Sequence, residues 1–166
     1  LLFGLVPLIP KGEGADEAPD RQRPITLFSI WYRVWASIRY QDLQPWFTQW
    51  AAPELRGGVP AGEVGEITID VALEVESSLL EGAELHGAGV DEQSCDNAQV
   101  QPLIWGGAEE LGCDAGLVDA ERRFYAALLR SYRYGASCGP WWTALRGIGQ
   151  GSALSQIWIS VPAHVW

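Results

Sequence analysis

Arg146-Gly147-Ile148-Gly149-Gln150-Gly151-Ser152-Ala153-Leu154-Ser155 is the stretch on which the reading of this chain turns. Glycine at every second position frees the backbone to turn left-handed or to approach other groups closely. Residues 147–151 therefore read as a flexible turn, and Ser152 as the N-cap of a final helix. No Gly-Lys-Ser/Thr follows the glycines, which excludes a P-loop. Just upstream, residues 132–136 and 141–148 are expected to pair as a hairpin across Cys138-Gly139-Pro140.

Further out, helical spacing dominates. Residues 118–131 place Phe124, Leu128 and Tyr132 along one side of an expected helix, and residues 98–111 suit another. Residues 86–91 form a short run of small residues ending in Asp91. Residues 64–80 carry Ile67, Ile69, Val71, Leu73, Val75 and Leu79, and read as a helix. Their early half alternates, so a strand is the alternative. Residues 53–65 form a Gly- and Pro-containing linker. Leu27, Ile30, Trp31, Val34, Trp35 and Ile38 recur at helical spacing, with Ser29 as cap. That helix is expected to end near Tyr40, with a second short one over residues 44–50. Residues 11–22 are a charged, solvated loop, and residues 2–9 an apolar strand closed by Pro10. Strands and helices intermingle without an internal repeat, which points to an α+β domain.

The chain has 166 residues, 48% of them hydrophobic, enough for one domain with a real core. Its net charge of −10 repels phosphates and counts against nucleic-acid binding by the surface as a whole. Arg122, Arg123, Arg130, Arg133 and Arg146 gather in the last third, however, and leave room for a local basic surface. Cys95, Cys113 and Cys138 are odd in number and lack a CxxC pair, so neither a disulfide framework nor a zinc site is indicated. A reducing, intracellular compartment fits them best. His86 and His164 form no metal-binding pattern. Residues 1–10 lack a basic flank and are too short to span a bilayer, and no membrane partner is expected. The absence of Met, even at position 1, suggests a fragment or processed product. Nine Trp residues are several times the usual number, and core packing or contact with a protein partner accounts for most of them better than base stacking.

Four blocks occur in a telling order: Leu8-Ile9-Pro10-Lys11; Arg23-Pro24-Ile25-Thr26-Leu27 with Tyr32-Arg33; Gly89-Val90-Asp91 with Ser94-Cys95-Asp96-Asn97; and the 146–155 stretch. Together they resemble the conserved blocks of non-LTR retrotransposon reverse transcriptases, over nearly the whole chain. The resemblance implies part of a right-hand polymerase: fingers over residues 1–60, and a partial palm over 61–166 whose helices pack on a small antiparallel sheet. It implies an RNA-directed DNA polymerase reaction, extending a DNA primer on an RNA template with deoxynucleoside triphosphates. Nuclear location follows from the same likeness, although no basic localisation cluster is present.

By that resemblance, Asp91 is the catalytic palm aspartate at the end of a central strand and a ligand of Mg²⁺, a hard cation suited to carboxylate oxygen. Lys11 and Arg23 face the incoming triphosphate, and Gln150-Gly151 lies beside the template–nucleotide base pair. Without it, Asp91 is an ordinary surface carboxylate and Lys11 and Arg23 are solvated loop cations. The family's Tyr-x-Asp-Asp block is absent, its Phe-Asp pair is replaced by Cys95-Asp96-Asn97, and Gln156 stands where Pro is usual. The chain is therefore expected to be inactive alone, as a fragment. The alternative is a decayed retroelement product or a non-catalytic module that binds protein through its apolar, Trp-rich surface.

Overall fold

The computed structural model describes residues 2–12, 21–59, 62–91 and 94–164. Its sheet is built around β1 (Leu2–Pro10), the apolar strand expected from the sequence. One edge of β1 pairs antiparallel with β2 (Gln22–Pro24), setting Leu8 opposite Pro24, Ile9 opposite Arg23 and Pro10 opposite Gln22. The other edge runs parallel to β3 (Leu128–Tyr134), from Leu2 opposite Leu128 to Pro7 opposite Arg133. The far edge of β3 is shared by β4 (Ser137–Cys138) and β5 (Trp142–Thr143), both antiparallel to it.

The strand order is β2-β1-β3-β4, with β5 alongside β3. The fold is thus mixed α and β, but the sheet is mixed rather than antiparallel. Its longest pairing joins two strands from opposite ends of the chain, and parallel neighbours need a long crossover. Here the intervening helices supply it.

Helix α1 (Ile30–Trp50) begins as expected, with the Ser29 side chain accepting the Tyr32 N–H at 3.3 Å. It does not stop near Tyr40. Tyr32, Ala36, Leu43 and Phe47 are all buried at roughly helical spacing, and this continuous core contact carries the helix through Pro45. Helix α2 (Val64–Glu81) forms instead of the alternative strand and ends at Gly82, whose φ is +66°. After the short α3 (Cys95–Ala98), α4 (Gln101–Glu110) has Pro102 in its first turn, where a missing N–H costs nothing. Asp114 caps α5 (Ala115–Ala127) by accepting the Leu117 N–H at 2.9 Å.

The helix expected over residues 118–131 ends at Ala127 because Leu128 to Arg133 are taken into the sheet by β1. Pairing of this kind overrides a weak local preference. The hairpin that follows turns at Gly135-Ala136, earlier than expected, while Trp142 and Thr143 return beside Arg130 and Leu129. Helix α6 (Ser155–Ala163) closes the core, packing with α4. Ile104, Trp105, Ala108, Val118, Tyr125, Ile157, Trp158 and Val161 are buried there, and Trp105 meets Trp158 edge-on at 5.4 Å. Trp46 donates to the Leu111 carbonyl at 2.8 Å. Several tryptophans therefore serve packing, while Trp31 is 82% exposed.

Candidate functional site

Residues 147–152 are tied by hydrogen bonds and close approaches to several distant parts of the chain. At Gly147, φ is +77°, and a Cβ would stand 2.7 Å from the Asn97 carbonyl oxygen. The Gly147 N–H donates to Gln99 O at 2.7 Å, and the Ile148 N–H to Asp96 O at 2.8 Å. The Gln101 side-chain amide donates to Gly147 O at 2.8 Å. The Gly149 N–H donates to the Tyr125 hydroxyl at 3.1 Å.

On the other side, the Thr26 N–H donates to Gln150 O at 2.8 Å. Gly151 has φ +121° and lies so close that a Cβ would stand 2.9 Å from Thr26 O. Ser152 Oγ is 3.1 Å from the Tyr32 hydroxyl and accepts the Leu154 N–H at 3.2 Å. Ser152 is therefore not the N-cap of the last helix. That helix starts three residues later, because the Ser152 side chain is engaged within the preceding turn and with α1.

Glu121 lies beneath this stretch with no exposure. The Tyr32 hydroxyl donates to its carboxylate, 3.1 Å from Oε1 and 3.4 Å from Oε2. Removal from water pushes the Glu121 carboxyl up to about 7, with the Tyr32 hydrogen bond opposing the shift. Burial also raises the Tyr32 and Tyr125 phenols. Arg130 is 3% exposed, its guanidinium 5.7 Å from the Tyr125 ring and 5.9 Å from that of Trp142, and burial lowers its pKa.

A cleft of ≈ 410 Å³ opens at the surface of the same stretch, lined by Leu55, Gly57, Asp96, Gln150, Ser155 and Gln156 among others. Its size is within the range of small-molecule sites. Asp96 is partly buried there, and desolvation raises its carboxyl above the usual range. The cleft can offer a polar ligand amide, hydroxyl and carboxyl groups at once.

Among the residues singled out in the sequence, Gln150 and Gly151 are at this cleft or against Thr26. Arg23 is in β2, opposite Ile9, and exposed. Lys11 is exposed at the end of β1, its N–H donating to Arg21 O at 2.9 Å. The two cations thus share with Arg21 the end of the β1–β2 pair at which Pro10 faces Gln22. Backbone bonds continue from that pair to the cleft: Ile25 N–H to Pro7 O at 3.2 Å, then Thr26 to Gln150.

Asp91 is not at a strand end. It is exposed, in the segment without regular structure that follows α2, beside Val90, which is 95% exposed. Among the described residues no group of three or more His, Cys, Asp or Glu side chains could hold a metal ion, so the residues on hand do not fit Mg²⁺. His86 and Glu84 are 3.6 Å apart and both nearly fully exposed. Among the described residues, no helix is long and apolar enough to cross a membrane.

The sequence reading missed Glu121 and Tyr125. The signal was present: Val118, Glu121 and Tyr125 fall at i, i+3 and i+7, so a carboxylate occupies the buried stripe of a helix. No protein-family model and no curated protein matches the chain.

Proposed function

We propose that this chain is a fingers-and-partial-palm segment of a reverse transcriptase of the non-LTR type, inactive alone. It would furnish the nucleotide-facing surface of an RNA-directed DNA polymerase. One observation supports the reading: parts of the blocks, far apart in sequence, are neighbours in the fold, while Gly89-Val90-Asp91 stands apart from them. Leu8-Ile9 pairs with Arg23-Pro24, Thr26 bonds to Gln150, and Gly147-Ile148 bonds to Gln99 and Asp96.

In this reading Lys11 and Arg23 meet the triphosphate, Gln150-Gly151 meets the nascent base pair, and Asp91 is the palm aspartate. Phosphoryl transfer of this kind relies on positioning and on charge neutralisation. The guanidinium of Arg23 can grip two phosphate oxygens, whereas Lys11 supplies a point charge. Mg²⁺, when bound, would supply the remaining neutralisation, and among the described residues no cluster of carboxylates is formed to hold it. The template would be RNA, the primer DNA, and the location nuclear.

The test is a pair of measurements. Filter binding of an RNA–DNA primer–template and of a deoxynucleoside triphosphate at 20 mM and 200 mM salt should give weak, salt-sensitive binding. Lys11→Ala with Arg23→Ala should weaken it further, consistent with lost counterion release at about two phosphates. Absence of binding at low salt would refute the reading. Primer extension with Mg²⁺ should give no product, and robust extension would overturn the claim of inactivity. One feature favours a second reading, a non-catalytic protein-binding module: large apolar side chains, Trp31 and those of α2 among them, stand exposed.

A further inference from the structure

Helix α2 has an unusual surface. Ile67, Val71, Val75 and Leu79 recur every four residues and form one stripe, while Ile69, Leu73 and Leu80 form another. None of the α2 side chains described is buried, and Ile69, Leu79 and Leu80 are 60%, 76% and 89% exposed. A helix with apolar residues on opposite sides normally lies within a core.

Between the two stripes, on one side, run Glu66, Asp70, Glu74 and Glu81. No Lys or Arg occurs anywhere from residue 57 to residue 121. Arg56, just before the helix, reaches Glu66 at 3.0 Å and Asp70 at 3.7 Å and anchors its first turns. The remaining acidic groups of the helix have no cation of their own segment to meet.

This charge selects the occupant. A second copy of the chain would set acidic stripe against acidic stripe, and nucleic acid or an anionic lipid surface would be repelled. A cationic, apolar protein segment suits both features at once. We propose that α2 is a docking helix for a basic amphipathic helix of another protein. The partner's apolar residues, at i, i+3 and i+4 spacing, would seat on the Ile67–Val71–Val75–Leu79 stripe, with its Lys or Arg residues against Glu74 and Glu81, the carboxylates of that flank that Arg56 does not reach. Apolar burial supplies most of the affinity of such a pair, and the charges supply orientation and speed of encounter. The inference is independent of the polymerase reading, since failure to bind nucleotide or RNA leaves it untouched.

The test uses the full chain and a synthetic Leu/Lys peptide with Leu at i, i+3 and i+4, followed by fluorescence anisotropy. A second peptide, with Ser in place of every Leu, keeps the charge alone. The Leu/Lys peptide should bind at least about tenfold more tightly than the Ser/Lys peptide. Val71→Gln with Val75→Gln should remove that advantage while leaving the melting temperature unchanged, because both side chains are already exposed. Glu74→Lys with Glu81→Lys should weaken binding and reduce its salt dependence. Equal binding of the Leu/Lys peptide to the Val71→Gln, Val75→Gln chain would overturn the proposal, since attraction would then be charge alone. So would sedimentation of the chain by itself as a dimer that the same two substitutions dissociate, because the stripe would then belong to a second copy.

Discussion

Glu121 illustrates what a single buried carboxyl does to the molecule. The carboxyl is removed from water with no cation beside it among the described residues, and the hydrogen bond from the Tyr32 phenol offsets only part of that cost. Its pKa is raised from the ordinary 4.5 to about 7 in the folded state. Between those values the native protein holds a proton that the unfolded chain has lost, so stability falls as pH rises. Unfolding by denaturant at pH 5 and pH 8 should differ by up to roughly 3 kcal/mol from this group, with the lower pH more stable. Glu121→Gln keeps an acceptor for Tyr32 and removes the charge. It should flatten that slope and raise stability at pH 8, and an unchanged slope would show that another group sets it. Gly147 is sensitive for a different reason. With φ at +77° and the Asn97 backbone where a Cβ would go, Gly147→Ala should cost about 2 kcal/mol or more. A chemical-denaturation midpoint measures it, and a neutral result would mean that the Gly147–Gln99 bond is not formed.

Among the elements, α1 and β3 depart most from local expectation, and for the same reason. Pro45 is exposed on the outer side of α1, while Leu43 and Phe47 on either side of it are buried. The helix persists because the core holds both flanks. Pro45→Ala should therefore restore a backbone hydrogen bond and stabilise the protein by about 1–3 kcal/mol, read from thermal unfolding. A loss of stability would mean instead that the fixed φ of Pro45 helps to fit α1 to the core. In β3, residues with acceptable helical spacing are drawn into the sheet by hydrogen bonds to β1. Spacing within residues 118–131 could not reveal this, because the competing partner lies at the other end of the chain. Helix α2 is the opposite case. Its alternation suited a strand, yet no strand edge takes it up in the fold.

At the scale of the whole molecule, the first strand is the keystone of the sheet. β1 has β2 on one side and β3 on the other, so the β3–β4–β5 part of the sheet joins β2 only through the first residues. Deletion of residues 1–10 should abolish cooperative unfolding, monitored by near-ultraviolet circular dichroism, whereas deletion of a peripheral strand would merely lower the midpoint. Long-range parallel pairing also predicts slow folding for the size of the chain.

The sequence by itself determined that α and β elements are mixed in the fold, the apolar strand over residues 2–9, the Ser29 cap, the presence of most helices and the acidic balance of the chain. Each of these rests on neighbours in sequence or on composition. It also marked the 146–155 stretch, since glycines at that density need a close approach to something. What they approach was decided by tertiary structure: Thr26, Tyr125, Asn97 and Gln99, none of them near in sequence. The parallel β1–β3 pairing, the unbroken α1, the exposed position of Asp91 and the buried proton site at Glu121 were decided there too. Pairing, burial and desolvation depend on which distant residues arrive beside a group, and no local pattern records that.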